Sequence, residues 1–305
     1  MSETPGARRP LRVAYMGCVE FSHAVLERVL QLPEAEVVGV VTRAASRFNA
    51  DFRSLEDLAA KADCPCLIAK KNDQEAIADF LRQVQCDVLY CFGWSYLLRS
   101  EVLSIPPLGV VGYHPAALPA NRGRHPLIWA LVLGLPETAC TFFFMDEGAD
   151  TGAILSQQSV PIGPDDDAAA LYSRLVATAR EQVTTFTAEL AAGTQQPITQ
   201  PAEGNFWRKR GPADGAIDWR MPARGIHNLV RALARPYVGA HCSYGEGEAK
   251  VWKSAVFEGE VPLNLEPGRV LAVEPGGELL IRCGEGAVRL LEHGLDPLPA
   301  QGACL

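Results

Sequence analysis

The chain has 305 residues, 48% of them hydrophobic and 21% charged, with a formal net charge of -8 and a pI near 5.3. That composition suits one large or two unequal folded domains and excludes a disordered chain. A polyanion is a poor main partner, because nucleic-acid binding leaves a basic footprint, and no run of about 18 apolar residues offers a membrane span. Nine scattered cysteines, set mostly in apolar segments, suit a reducing compartment. The pair Cys64-Pro65-Cys66 has no second pair or histidine beside it, so no metal is expected. After Arg8 and Arg9 the apolar stretch is too short for a signal peptide, and a cytoplasmic location is the expectation.

In chain order, Leu11 to Met16 and Glu36 to Thr42 are short β-branched runs around a helical stretch from about Phe21 to Leu32, a β-α-β opening. The turn Gly17-Cys18-Val19-Glu20-Phe21 lacks the three-glycine spacing of a dinucleotide fingerprint, so the opening does not imply a nicotinamide or flavin. A helix at Ser54 to Ala62, a strand at Cys66 to Ala69, a helix at Asp73 to Gln85 and a strand at Asp87 to Phe92 continue the alternation. Together they predict a Rossmann-like α/β domain with a parallel sheet. Ligands of such sheets lie beyond the carboxyl ends of the strands, which directs attention to the loops after Phe92, Gly112 and Met145.

The amphipathic stretch Asp167 to Leu190, opened by Asp165-Asp166-Asp167 as cap and dipole partner, closes a first domain assigned to 1–200. Residues 191–205 shift to Gly, Thr, Gln and Pro and read as a linker. A helix near Ala223 to Ala234 follows, then short apolar runs over 248–296 split by Pro275-Gly276-Gly277 and Gly284-Glu285-Gly286. This spacing predicts a small, OB-like β-barrel as a C-terminal domain over 201–305.

Two stretches carry side chains suited to chemistry. Gly112-Tyr113-His114-Pro115-Ala116-Ala117-Leu118-Pro119 places a histidine where the strand Gly109 to Gly112 meets a proline-bounded loop, a good position for a base. The strand Cys140 to Met145 runs into Asp146-Glu147-Gly148-Ala149-Asp150-Thr151-Gly152, a carboxylate-rich loop expected beside the histidine loop at the same sheet edge. A carboxylate there can orient the imidazole, although acidic glycine-rich loops are usually solvated turns, and spacing alone leaves both readings open.

The stretch YHPAALPANRGRHPLIWALVLG followed by ETACTFFFMDEGADTGAIL resembles the signature of folate-dependent formyltransferases. The tail RGPADGAIDWRMPARGIHNLVRALARPYVGA is similar to the carboxy-terminal domain of methionyl-tRNA and amino-sugar formyltransferases. The resemblance implies an Asn, a His two residues later and an Asp 38 residues after the Asn as the catalytic set, which falls on Gly112, His114 and Asp150. Gly112 therefore departs from the pattern where an oxyanion donor is implied. Three replacements are open: the backbone amides near Gly112 and Tyr113, the side chain of Asn121, and His125, with Asn121 preferred. The implied chemistry is attack of a neutral amine on the formyl carbon of 10-formyltetrahydrofolate, with His114 stabilising the oxyanion or relaying a proton and Asp150 orienting it. No nucleophilic Ser or Cys is then required. The resemblance also implies that the folate's pterin end docks between Trp94-Ser95-Tyr96-Leu97-Leu98 and the loop Met145-Asp146-Glu147-Gly148.

Two acceptors compete. Methionyl-tRNA formyltransferases resemble one another in a long basic insertion after the second strand, whereas Arg43-Ala44-Ala45-Ser46-Arg47-Phe48-Asn49-Ala50-Asp51-Phe52-Arg53 is short and modestly basic here. A nucleotide-linked amino sugar is thus the expected acceptor, with Gly112, Tyr113, Arg122, Arg208 and Arg210 as its expected contacts; the cluster Arg208-Lys209-Arg210 suits a diphosphate and equally a solvated basic turn. A methionyl-tRNA formyltransferase, or a catalytically altered folate- or sugar-binding homologue, is the alternative. The resemblance is compatible with a homodimer, and no residue decides it.

Overall fold

The computed structural model describes residues 9–46 and 50–305; Arg8 and the Arg47, Phe48 and Asn49 of the segment after the second strand lie outside the described residues. The elements follow in order: β1 (Leu11–Met16), α1 (Glu20–Val29), β2 (Ala35–Thr42), α2 (Glu56–Lys61), β3 (Cys66–Ile68), α3 (Gln74–Val84), β4 (Val88–Cys91), α4 (Ser100–Leu103), β5 (Val110–His114), β6 (Arg122–Gly123), α5 (Pro126–Val132) and β7 (Glu137–Phe144). The remainder are β8 (Ile154–Pro161), α6 (Ala168–Ala192), β9 (Phe206–Trp207), α7 (Ala223–Ala232), β10 (Ala240–Tyr244), β11 (Gly247–Phe257), β12 (Val270–Val273), β13 (Leu279–Arg282) and β14 (Ala287–His293). Asp167 caps its helix as the sequence suggests, accepting from Ala170 N at 2.9 Å, and Asp73 caps α3 in the same way, accepting from Ala76 N at 3.1 Å.

Two compact units divide the chain, and they interleave. The first comprises the described part of Met1–Gly123, Ala139–Val160 and Arg174–Phe206; the second takes Arg124–Thr138, Pro161–Ser173 and Trp207–Leu305. Two short segments that the sequence reading gives to the first domain thus pack with the second.

In the first unit a seven-stranded sheet runs in the order β3-β2-β1-β4-β5-β7-β8. The pairs β1–β2, β1–β4, β2–β3 and β4–β5 are parallel, but β5 and β7 are antiparallel, so the sheet is mixed and not the parallel sheet expected. Strand direction is not encoded in the hydrophobic run of β7, which is why the sequence pattern missed it. Gly17 is required by packing: a Cβ there would lie 2.4 Å from the Phe92 carbonyl, which joins the turn after β1 to the end of β4. The first-unit stretch of α6 fastens to the sheet through Tyr90 Oη and Thr187 Oγ1, 2.9 Å apart, and through Gln182 Nε2 donating to the Cys140 carbonyl at 3.1 Å.

At the opposite end of these strands Asp87 precedes β4 and accepts from both Arg9 guanidinium nitrogens at 2.7 Å and from Arg12 N at 2.9 Å. The Arg9 hydrogen bonds, ahead of the lesser opposing effect of burial, hold its carboxyl below the ordinary range. A depressed carboxyl contributes stability that is present above its unfolded pKa of about 4 and is lost as pH falls through the folded value. Asp87→Asn is therefore expected to flatten the acid limb of a melting-temperature profile below about pH 5; an unchanged acid limb would refute the role.

In the second unit an all-antiparallel five-stranded sheet runs β10-β11-β14-β13-β12, with α7 packed on β11, β14 and α5. No pairing joins β12 to β10 among the described residues, so the expected barrel is, at this level, an antiparallel sheet. Arg231 of α7 is buried and donates to the carbonyls of Gly163 at 3.0 Å and Asp166 at 2.9 Å, which explains why the segment before α6 packs in this unit.

Candidate active site

Successive residues of a strand face opposite sides, so Gly112 and His114 share one face of β5 and Tyr113 takes the other. Tyr113 stacks on Phe21 with centroids 3.9 Å apart and sits 5.1 Å from Phe142, while its hydroxyl meets the Cys140 thiol. Half-buried, its ring packs on aromatic neighbours on the face of β5 opposite His114, which departs from its expected place against the substrate. Burial pushes the Cys140 thiol up to about 12 and raises that of Cys91 as well, so neither is a ready nucleophile.

His114 is buried, and both ring nitrogens have defined surroundings. Nε2 lies 2.7 Å from the carbonyl oxygen of Asn121, which makes it the donor there, and Nδ1 lies 3.5 Å from Asp150 Oδ2. Asp150 Oδ2 also accepts from the amide of Gly123 at 2.9 Å. Asn121 and Asp150 are both in the left-handed region, with φ of 64° and 59°, a conformation that Asn and Asp tolerate better than most residues. The bond to Asn121 places a hydrogen on Nε2 and leaves Nδ1 facing the carboxylate.

The aspartate reaches this place by a different route from the one expected. Because β7 is antiparallel to β5, Phe144 stands opposite Val111 and Met145 N donates to the Val110 carbonyl at 2.7 Å, at the start of β5 and not at its carboxyl end. The loop that follows returns along the strand to bring Asp150 to His114. Asp146 stiffens it by accepting from Gly148 N at 3.0 Å and Thr151 Oγ1 at 2.7 Å, and Gly152 packs on the Phe144 carbonyl with no space for a Cβ. The Asp146 carboxylate thus shapes the loop, and Glu147 and Gly148 are exposed on it.

The space next to Gly112 is filled. A Cβ there would lie 2.8 Å from Met145 Cγ and 3.0 Å from Phe143 Cζ. Its backbone stands between Cys91 and Phe143 in the ladder, so the main chain at Gly112 is occupied by sheet pairing. The side-chain oxygen of Asn121 accepts from Asn205 Nδ2 at 3.0 Å, and its link to His114 is the backbone carbonyl.

Trp94 and Met145, from the two segments expected to flank a heteroaromatic ligand, both pack against one apolar cluster that includes Leu98, Val102 and Val110. Trp94 Nε1 is buried with no partner among the described residues. Tyr96 lies 6.2 Å from Trp94, with the Arg43 guanidinium 5.7 Å over its ring. Ser95 is half-buried and Leu97 exposed, and the run is braced by Gln74, which donates to the Leu97 carbonyl at 2.8 Å and accepts from Arg99 N at 2.7 Å. Gln74 gives no signal in the sequence beyond standing at a helix start.

The arginines depart most from expectation. Arg122 is buried, and its guanidinium donates to Gln200 Oε1 at 3.3 and 2.8 Å and to the Pro201 carbonyl at 3.1 Å; it is scaffold and not a substrate contact. In the second unit Arg208 forms a forked pair with Asp214, Arg210 donates to the Asp214 carbonyl, and both guanidiniums lie over Trp129, at 5.4 and 4.6 Å. Hydrogen bonds from Arg208 hold the Asp214 carboxyl well below its usual range. A diphosphate would have to compete with that carboxylate. His125 also belongs to this unit, where its Nδ1 accepts from Arg210 N at 3.3 Å; burial first, and the cations Arg124, Lys209 and Arg210 next, lower its pKa.

Residues 12–186 match the family described as formyl transferase, and residues 210–301 match the formyl transferase C-terminal domain. Among solved structures the chain is similar to an N-formyltransferase from Helicobacter canadensis in complex with folinic acid and dTDP-3-aminofucose. The TM-score is 0.70 and the identity 18%, over 93% of this chain and 99% of that one. It is similar also to WlaRD, a sugar 3N-formyl transferase solved with dTDP and 5-N-formyl-THF, at TM-score 0.68 and 16% identity over 95% and 100% of the two chains. HypX from Aquifex aeolicus, solved with tetrahydrofolic acid, matches at TM-score 0.65 and 17% identity over 93% of this chain and 44% of that one. At such identities the likeness is one of fold.

Proposed function

The chain belongs to the formyltransferase family, and from that premise we propose that it transfers a formyl group from 10-formyltetrahydrofolate to the amine of a nucleotide-linked amino sugar. The observation that carries this reading is the approach of the half-buried Asp150 Oδ2 to Nδ1 of the buried His114, 3.5 Å away, on the face of β5 that His114 shares with Gly112. The amine nitrogen attacks the formyl carbon, the bond from that carbon to N10 of the folate breaks, and the amine's proton passes by way of Asp150 and His114 to N10. The Nδ1–H of the imidazolium supports the oxyanion while the tetrahedral intermediate lasts. Asn121 holds the ring through its carbonyl in this scheme and does not replace the family's Asn as a donor.

The donor fits the apolar wall of Trp94, Leu98 and Met145, where a heterocycle with ring nitrogens and a carbonyl would satisfy the Trp94 indole N–H. An amino sugar is favoured over tRNA by the net charge of -8 and by the short segment after β2. The ligands of the two sugar-modifying relatives support the same choice. No helix among the described residues is long and apolar enough to cross a membrane, and we place the enzyme in the cytoplasm with its folate donor. Release of tetrahydrofolate that requires an amino-sugar nucleotide is the expected result; release with charged initiator tRNA alone would overturn the acceptor.

A further inference from the structure

The segment between α6 and β9 connects the loop that follows His114 with the loop that carries Asp150. Gln200 is buried, and its amide is used at both ends. Nε2 donates to the carbonyls of Asp150 at 3.0 Å and Gly152 at 2.7 Å, and Oε1 accepts from Arg122 Nε at 3.3 Å and Nη2 at 2.8 Å. Arg122 directly follows Asn121, whose carbonyl anchors His114 Nε2 at 2.7 Å. One side chain therefore ties the backbone of the aspartate loop to the neighbour of the histidine's anchor. Asn205 adds a second tie, since its Oδ1 accepts from Asn121 N at 2.8 Å and its Nδ2 donates to Asn121 Oδ1 at 3.0 Å. The backbones run so close here that a Cβ on Gly204 would fall 2.4 Å from the Pro119 carbonyl.

Left-handed non-glycine residues persist only where their surroundings over-determine them, and both site loops contain one, Asn121 and Asp150. We propose that Gln200 is a positioning residue of the formyl-transfer site, fixing the separation of His114 and Asp150 by clamping the Asp150 loop to Arg122. This rests on the catalytic reading of that pair given above. A misplacement of about 1 Å in such a pair costs rate without weakening substrate binding, so the effect belongs in kcat.

Gln200→Glu isolates the role, because a carboxylate still accepts from Arg122 but cannot donate to the Asp150 and Gly152 carbonyls. The expected result is a fall in kcat of about 10- to 100-fold with KM for donor and acceptor little changed, and no further fall when the change is made in an Asp150→Asn background. Gln200→Leu, which retains the volume, serves if the glutamate variant does not fold. Independently of turnover, the ring nitrogen resonances of His114 should move in either variant while the other histidines keep theirs. Unmoved His114 resonances, or a fall in kcat that is fully additive with Asp150→Asn, would overturn the proposal. Should His114→Ala retain wild-type turnover, the catalytic reading fails, and the ring resonances alone still decide whether Gln200 positions His114.

Discussion

His114→Ala is expected to lower formyl transfer by about 10³-fold or more while KM for the folate donor stays close to wild type. The imidazole is the titratable ring on the site face of β5, and the Asn121 carbonyl holds it in one tautomer, 2.7 Å away. In the proposed reaction, removing it takes away both the proton carrier and the charge facing the oxyanion, which are needed only as the transition state forms. The ring is buried, so truncation also leaves a cavity and lowers the melting temperature; Asp150→Asn separates the two effects. An asparagine at 150 can still accept from Gly123 N, now 2.9 Å from Oδ2, but carries no charge and cannot take the amine's proton. A folded Asp150→Asn enzyme with near wild-type kcat would refute the role assigned to the pair.

Gly112→Asn is expected to raise kcat, by about 10- to 100-fold, because it supplies a donor whose absence ordinarily costs about 10²–10³ in rate. Position 112 shares its strand face with His114, so a carboxamide there projects to the same side as the imidazole. The obstacles are Met145 Cγ at 2.8 Å and Phe143 Cζ at 3.0 Å from the added Cβ. Met145 is unbranched and can take another rotamer at small cost, whereas the phenylalanine ring must shift, so a melting temperature lower by a few degrees is the expected accompaniment. Crystals of the variant would show the Met145 side chain displaced. A folded Gly112→Asn protein with unchanged or lower kcat would mean that another group already occupies the place of the missing donor.

The histidine and the aspartate stood out because they lie on two separate segments that together resemble the formyltransferase signature, and the cap of α6 was legible because Asp167 acts locally. The direction of β7 was not, since an apolar run such as that of β7 reads the same in either direction, and with it went the route by which the loop reaches His114. Residues 191–205 read as a linker because composition averages hide single buried side chains: Gln200 looks like any other polar residue there, yet it braces both site loops. The cations at 208–210 read as free because charge was counted without Asp214, four residues beyond Arg210, which partners both arginines. That spacing could have given the pairing away; nothing in the sequence announces the burial of Arg122. Strands of the second unit were visible from their turns, whereas barrel closure depends on non-local pairing that no turn encodes.

The most direct test of the central claim follows an isotopically labelled formyl group from 10-formyltetrahydrofolate through a single turnover with a panel of nucleotide-linked amino sugars, with charged initiator tRNA in parallel. The label should leave the folate and appear as an amide on one sugar nitrogen, in amounts matching the tetrahydrofolate released, and only when His114 and Asp150 are both present. Label that stays on the folate in the presence of every sugar, or that moves to the aminoacyl-tRNA or to water, would contradict the assignment.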